Sequence, residues 1–290
     1  MYDVIIIGRG PAGISASLYT VRANLKTLII GKYDSRLLKA DKVDNYFGFS
    51  NSVSGEQLLC AGEQQAQRLG AEIVEDEVIA LEKEDFFKVT ASKQQYTAKA
   101  LLFATGQPQK KVKIENLSEF EGKGVSYCAT CDGFFYNNLK VGVLGFKDYA
   151  VHEATDLLAN TRDIVIYTNG KEPEISEGFR GTAEQFAINT KPVVKIDGGE
   201  FLQRIHFKDG TSEELDGLFV AYDTASTLDF ARKMGILADG STIVVDRKQQ
   251  TNLEGVFAAG DCAAELKQIS VAVGQGAIAG KAIVEYVRSL

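Results

Sequence analysis

A strand, a glycine turn and a helix in immediate succession constrain this chain more than any other feature. Tyr2 to Ile7 is a short β-branched run, Gly8-Arg-Gly-Pro-Ala-Gly13 follows it, and Ile14, Leu18 and Val21 then keep helical spacing toward Ala23. A second apolar run, Thr27 to Ile30, completes a right-handed βαβ unit of the doubly wound kind. Such a turn offers backbone N–H groups at the start of a helix, and its small residues let a pyrophosphate approach. Gly8, Gly10, Pro11, Ala12 and Gly13 are therefore candidate dinucleotide-binding residues. An ordinary glycine-rich turn is the competing reading, and the flanking strand and helix weigh against it.

The pattern begins again at Lys140, with Val141 to Gly145 as strand, Tyr149 to Ala159 as helix and Ile164 to Tyr167 as strand. Between the two units, Ser54-Gly-Glu-Gln57 reads as a capping box that opens a helix to Leu69, with Leu58, Leu59, Ala66 and Leu69 on one face and Cys60 off it. Glu72 to Glu84, Phe86 to Ala91 and Gln95 to Phe103 read as strands of a meander closing on Ala104-Thr-Gly106. Further strands are expected at Val193 to Ile196, Arg204 to Phe207 and Leu218 to Tyr222. The carboxyl end carries Ile243 to Val245, Gly255-Val-Phe-Ala-Ala-Gly-Asp261 and an apolar helix from about Ser270 to Tyr286. The expected fold is α/β, with two Rossmann-like, doubly wound, three-layer domains, the second inserted into the first. Residues 1–113 and 245–290 would form the outer domain and 114–244 the insert.

Composition removes several classes. The 290 residues carry 32 Lys and Arg against 39 Asp and Glu, a charge of −7, the wrong sign for a general nucleic-acid binder. Hydrophobic residues at 45% fit a folded globule, and the apolar runs fall far short of the roughly 20 residues that span a bilayer. Met1-Tyr-Asp3 enters an apolar run without the regions of a secretory signal, so a cytoplasmic location is expected. The four cysteines, Cys60, Cys128, Cys131 and Cys262, are too few for a structural disulfide framework.

Cys128-Ala-Thr-Cys131 has the spacing of a redox pair, because two intervening residues let the thiols close a small disulfide ring or separate as a dithiol. Half a zinc site is the alternative. Zinc usually takes four N or S ligands, the other cysteines are single, and His152 and His206 lack ligand spacing, so no metal is expected. Asp132 follows the pair and suits a general acid for the thiolate leaving group; a solvated turn aspartate is the bland reading. At Gly260-Asp261 an apolar strand ends in a carboxylate able to accept hydrogen bonds from a ribityl chain, ahead of a helix whose N-terminus favours an anionic flavin.

GRGPAG, Asp44-Asn-Tyr46, Ala104-Thr-Gly106, the stretch Gly122 to Phe135 around the cysteine pair, GVFAAGD and Gln268 resemble the bacterial low-molecular-weight thioredoxin reductases over nearly the whole chain. The resemblance implies FAD in the discontinuous outer domain, redox cysteines in the insert, thioredoxin as partner and a homodimer. It adds Asn45, Thr105, Gly106, Gly260, Asp261, Gln268 and Ile269 to the cofactor-binding candidates. It also implies that Cys131 faces the flavin while Cys128 attacks thioredoxin.

Two departures from that family lie in the insert. Its second glycine turn reads Gly145-Phe-Lys-Asp-Tyr-Ala150, with Lys147 where a glycine lets NADPH come close. After Tyr167 stands Thr168-Asn-Gly-Lys171, without paired arginines to grip a 2′-phosphate, although Lys147 or Lys171 retains charge for one. This combination resembles the ferredoxin-dependent flavin thioredoxin reductases, in which the pyridine-nucleotide motifs are gone. Ferredoxin is thus the expected donor, since a flavin accepts electrons singly. The alternatives are an NADPH-dependent reductase with altered contacts and a flavin-bound redox sensor without turnover. Lys110, Lys111 and Lys113 are candidates for steering an acidic ferredoxin, with a solvated loop as the competing reading. In the outer domain, Gly31 ends the second strand where an acidic residue commonly meets the adenosine ribose. Arg9 either lies across the cofactor or covers the loop.

Overall fold

The computed structural model describes residues 1–106, 112–223 and 225–290, and the chain divides into two compact units, 1–108 with 226–290 and 109–225. In chain order the first unit runs β1 (Tyr2–Ile7), α1 (Pro11–Arg22), β2 (Thr27–Ile30), α2 (Gly55–Arg68), β3 (Glu72–Val74), β4 (Val78–Lys83), β5 (Phe87–Ala91) and β6 (Gln95–Phe103). The second unit carries β7 (Val125–Ser126), α3 (Ala129–Asp132), β8 (Val141–Leu144), α4 (Asp148–Leu157), β9 (Ile164–Tyr167), α5 (Glu177–Ala183), β10 (Ala187–Asn189), β11 (Val193–Gly198), β12 (Leu202–Phe207), β13 (Ser212–Glu214) and β14 (Gly217–Val220). The chain then returns to the first unit with α6 (Thr227–Met234), β15 (Ala238–Asp239), β16 (Thr242–Ile243), β17 (Val256–Ala258) and α7 (Ile269–Ser289).

The first unit is built on a 7-stranded sheet in the order β3-β2-β1-β6-β5-β4, with β17 also on β6. β1 pairs with β2 and β6 in parallel, and β17 pairs with the end of β6 in parallel, so Ile7, Phe103 and Ala258 stand level. Three chain ends consequently open side by side at the carboxyl edge of the sheet, where ligands bind in such folds. Val4, Ile5, Ile6, Leu28, Ile29 and Leu102 are buried, as expected for parallel strands covered on both faces. Helix α7 lies against α1 because Gly276 and Gly280 present no side chain; a Cβ on Gly276 would collide with the Ala12 carbonyl.

Helix α2 begins with the expected capping box, in which Ser54 Oγ accepts from Gln57 N and Gln57 Oε1 accepts from Ser54 N. The Glu72 to Glu84 run is not one strand. Its first part joins β2 in parallel, and its second pairs antiparallel with β5. The break comes at Asp76, whose buried carboxylate accepts from Glu77 N and Lys93 N at 2.8 and 3.2 Å and so turns the chain. The second crossing between units falls at 226 rather than 245. Helix α6, capped by Ser226 and Asp229, stacks Phe230 on Phe103 at 6.1 Å, which holds this stretch in the first unit.

The second unit has a 5-stranded sheet, order β10-β9-β8-β14-β7, and every recorded pairing in it is parallel. A 3-stranded antiparallel sheet of β11, β12 and β13 accompanies it. Among the described residues no helix is long and apolar enough to cross a membrane.

Candidate functional site

In the first unit the glycine turn is shaped by close packing. Gly8 holds φ +121°, and a Cβ there would collide with the Ala104 carbonyl; a Cβ on Gly13 would collide with the carbonyl of Gly8 itself. Gly10 differs, because a Cβ there would meet nothing within 4 Å. Helix α1 starts at this open point with Pro11 in its first turn and no side-chain cap on its N–H groups. Gly260, at φ +80°, lies next to the same turn, for its Cβ would stand 2.9 Å from that of Ala12. Asn45 Nδ2 donates to Gln268 Oε1 at 2.9 Å, tying the Asp44–Ser50 loop to the residue that caps α7. Gly8, Gly10, Ala12, Gly13 and Gly260 are thus gathered in one neighbourhood, whose open face and uncapped helix start suit a pyrophosphate. Two partners escaped the sequence reading: Gln275, whose Oε1 accepts from Gly260 N at 2.8 Å, and Thr227, whose hydroxyl meets that of Thr105. Their contacts join residues far apart in the chain, and no local pattern marks them.

Arg9 covers the loop. Its guanidinium makes a two-point ion pair with Glu63 at 2.9 and 3.2 Å, reaches Glu75 at 3.3 Å and lies 5.2 Å from the centre of the Tyr33 ring. Despite burial, these carboxylates hold its proton more tightly than usual. A Cβ on Gly31 would stand 3.1 Å from Arg9 Cγ, so the arginine stem fills the space above the second strand's end. Cys262 is buried with Sγ on the carbonyls of Phe103 and Ala259, and burial pushes its thiol up to about 12, which disfavours the thiolate. Cys60 is exposed on α2.

In the second unit Cys128 and Cys131 form a disulfide. Cys128 caps α3, and its Sγ accepts from Cys131 N at 3.2 Å. Ser126 links the turn to Asp132: its hydroxyl donates to Asp132 Oδ2 at 2.6 Å and accepts from Cys128 N at 3.1 Å. Glu153, on α4, accepts from Ala129 N at 2.9 Å. Ser126 and Glu153 were not singled out from sequence, because only the fold brings them to the cysteine turn. Cys128 is buried while Cys131 is exposed. Phe134 and Phe135 follow the turn and are exposed. His152, Glu153 and Asp156 bring ligand atoms within 4.8 Å of one another, which the spacing of His152 alone did not suggest.

The second glycine turn contrasts with the first. Lys147 caps α4 with its backbone, and its Nζ pairs with Asp223, lies 3.6 Å from Glu174 and sits 5.1 Å from the Phe146 ring centre. Segment 172–176 runs beside the turn: Glu174 N donates to Phe146 O at 2.7 Å, and Ser176 N donates to the buried Asp148 carboxylate at 2.8 Å. The helix start that would hold a phosphate is therefore flanked by Asp148 and Glu174 from the protein itself, which complement the helix dipole and repel a further anion. After β9, Thr168 Oγ donates to the Lys171 carbonyl at 2.6 Å, closing a tight turn with Lys171 exposed. Lys113 is exposed, whereas Lys110 and Lys111 lie outside the described residues.

Two Rossmann-like units, one with an open dinucleotide turn and one with a vicinal redox disulfide, define a flavin disulfide oxidoreductase. The family described as pyridine nucleotide-disulphide oxidoreductase matches residues 2–276. Thioredoxin reductase from Listeria monocytogenes is 34% identical over 310 residues, covering 100% of this chain and 95% of that protein. Among solved structures, the atypical thioredoxin reductase TRi from Desulfovibrio vulgaris Hildenborough shares 39% identity with a TM-score of 0.96, covering 100% of this chain and 99% of the other. A ferredoxin-flavin thioredoxin reductase from Clostridium acetobutylicum shares 28% identity with a TM-score of 0.71, at 100% and 99% coverage. The chain belongs to the low-molecular-weight thioredoxin reductase family. FAD is the cofactor of that family, and the first unit's glycine neighbourhood fits it.

Proposed function

We propose that this chain is a ferredoxin-dependent flavin thioredoxin reductase. The observation that carries the choice of donor is the start of α4, where Lys147 is bound to Asp223 and Glu174 and segment 172–176 runs alongside. A nicotinamide dinucleotide would have to displace an ion-paired lysine and approach two carboxylates with its own phosphates. The Clostridium acetobutylicum relative, named for ferredoxin and flavin, supports the reading by similarity.

In the first unit Gly8, Gly10, Pro11, Ala12 and Gly13 would hold the FAD pyrophosphate. Thr105, Gly106, Gly260 and Asp261, with the linked pair Asn45 and Gln268 and the adjacent Ile269, would line the remainder. Bound FAD supplies an electron store that accepts electrons singly and releases them in pairs.

The chain's own residues perform the exchange. In the dithiol form the Cys128 sulfur, stabilised as thiolate by Cys131 N–H, attacks one sulfur of the partner disulfide. An S–S bond forms between Cys128 and that sulfur, the partner's S–S bond breaks, and Asp132, held by Ser126, is the group placed to protonate the departing thiolate. Cys131 then attacks Cys128, remaking the Cys128–Cys131 bond and releasing the partner as a dithiol that has gained two electrons and two protons. Exposed Phe134 and Phe135 lie beside this turn in sequence and offer an apolar surface for a protein partner.

The test is anaerobic steady-state reduction of thioredoxin. Turnover with reduced ferredoxin and none above background with NADPH supports the proposal; turnover with NADPH assigns the chain to the conventional donor. Flavin reduction without thioredoxin reduction by either donor would instead make it a redox sensor.

A further inference from the structure

Glu153 is buried to 1% relative exposure on the second turn of α4, and its carboxylate reaches another element. Its Oε2 accepts the N–H of Ala129, the first residue of α3 and the one that follows Cys128. A helix of so few residues has no packing stripe to hold it, and its first N–H groups have no partner within the helix. The N–H groups of the cysteine residues and of the residue between them that opens the helix are held by the hydrogen bonds Ala129 N to Glu153, Cys128 N to Ser126 Oγ, and Cys131 N to Cys128 Sγ. Only the first comes from a separate layer of the unit. The carboxylate lies with His152 and Asp156 of its own helix, their ligand atoms within 4.8 Å of one another.

We propose that Glu153 is a positioning residue for the disulfide exchange, fastening the redox turn from beneath and biasing the Cys128–Cys131 couple toward the disulfide. The inference rests on the reading of these cysteines as the working dithiol. In the disulfide form the turn carries no sulfur charge, and the bond from Ala129 N to Glu153 is undisturbed. Opening the pair to a dithiol places a thiolate on Cys128, one residue from a buried acceptor that already draws on the N–H beside it. The two anionic groups then compete for the same few donors. The closed form is favoured, and a couple that favours its disulfide is a stronger reductant of other disulfides.

The test equilibrates FAD-loaded protein with dithiothreitol buffers anaerobically. Each step exchanges one protein disulfide and one dithiothreitol dithiol for one protein dithiol and one cyclic dithiothreitol disulfide. Peptide-resolved alkylation reads Cys128 and Cys131 apart from Cys60. Glu153→Gln keeps an oxygen acceptor and removes the charge; it is expected to shift the equilibrium about tenfold toward the dithiol, equivalent to about 30 mV for this two-electron couple. Glu153→Ala is expected to shift it at least as far and also to slow thioredoxin reduction, because the turn loses its fastener. Should the alanine variant fail to accumulate, the glutamine variant alone carries the test. An equilibrium for Glu153→Gln within twofold of the parent, or displaced toward the disulfide, overturns the inference. A parent protein that still reduces thioredoxin after both Cys128 and Cys131 have been alkylated would instead overturn the underlying reading, so the two failures are distinct.

Discussion

The two glycine turns, Gly8 to Gly13 and Gly145 to Ala150, share strand, turn and helix yet differ in what stands at the helix start. In the first, Gly10 leaves open space, and Arg9 is drawn aside by Glu63 and Glu75. In the second, Lys147 caps the helix, Asp223 and Glu174 hold the lysine, and Asp148 takes the N–H of Ser176. The comparison teaches that a βαβ unit keeps its fold through apolar strands and tight glycines while its anion site is decided by very few side chains. Gly145 remains indispensable to packing, since a Cβ there would collide with the Ala221 carbonyl, whatever its turn binds.

The largest effect is expected at the cysteines that separate the two units chemically. Cys128→Ser should leave flavin reduction by the donor intact and abolish thioredoxin reduction, measured in the same anaerobic assay. Cys131→Ser should trap a mixed disulfide between Cys128 and thioredoxin, visible on a non-reducing gel. Trapping by the Cys128→Ser variant instead would follow the exposure of Cys131 and reverse the proposed order.

Next in size, Gly10→Ala sharpens the contrast at the first turn. The new methyl group meets no protein atom within 4 Å, so thermal stability of the apoprotein should not change, while FAD affinity should fall by about tenfold or more as the backbone loses close approach to pyrophosphate. Fluorescence titration of apoprotein with FAD measures it; unchanged affinity would place the cofactor elsewhere.

Arg9→Ala leaves Glu63 and Glu75 without their shared cation. Glu63 is largely buried and Glu75 largely exposed, so a loss of about 2–4 kcal/mol is expected, with a Tm lower by roughly 5–15 °C. FAD content should be retained, because the arginine covers the loop; cofactor loss with unchanged Tm would assign it to the ligand.

The smallest expected effect is at Lys147→Gly. Restoring a glycine removes the side chain but not Asp148, Glu174 or segment 172–176, so NADPH oxidation should remain at background. Appreciable NADPH turnover would show that the lysine alone closes the site.

Much of this was legible in the sequence for physical reasons that particular residues display. The Ile164–Tyr167 strand ends where expected because a fully apolar run is bounded by polar Asp163 and by a turn in which Asn169 and Gly170 take positive φ. The Ser54 capping box was readable because its partners lie three residues apart. The split of Glu72 to Glu84 was hidden, since Asp76 turns the chain through the N–H of Lys93, 17 residues away. The placement of α6 depended on Phe230 meeting Phe103 across more than a hundred residues. At the candidate sites, residue types with fixed local spacing, such as Cys128 and Cys131, were visible. Glu153, Ser126, Gln275 and Thr227 were not, because their meaning comes from the element packed opposite them.

The most direct test of the central claim, that the second glycine turn no longer accepts a nicotinamide dinucleotide, is an anaerobic titration of the FAD-loaded protein followed by flavin absorbance. The account predicts that reduced ferredoxin bleaches the flavin stoichiometrically, while equimolar NADPH or NADH leaves it oxidised. Rapid, stoichiometric bleaching by NADPH would contradict it.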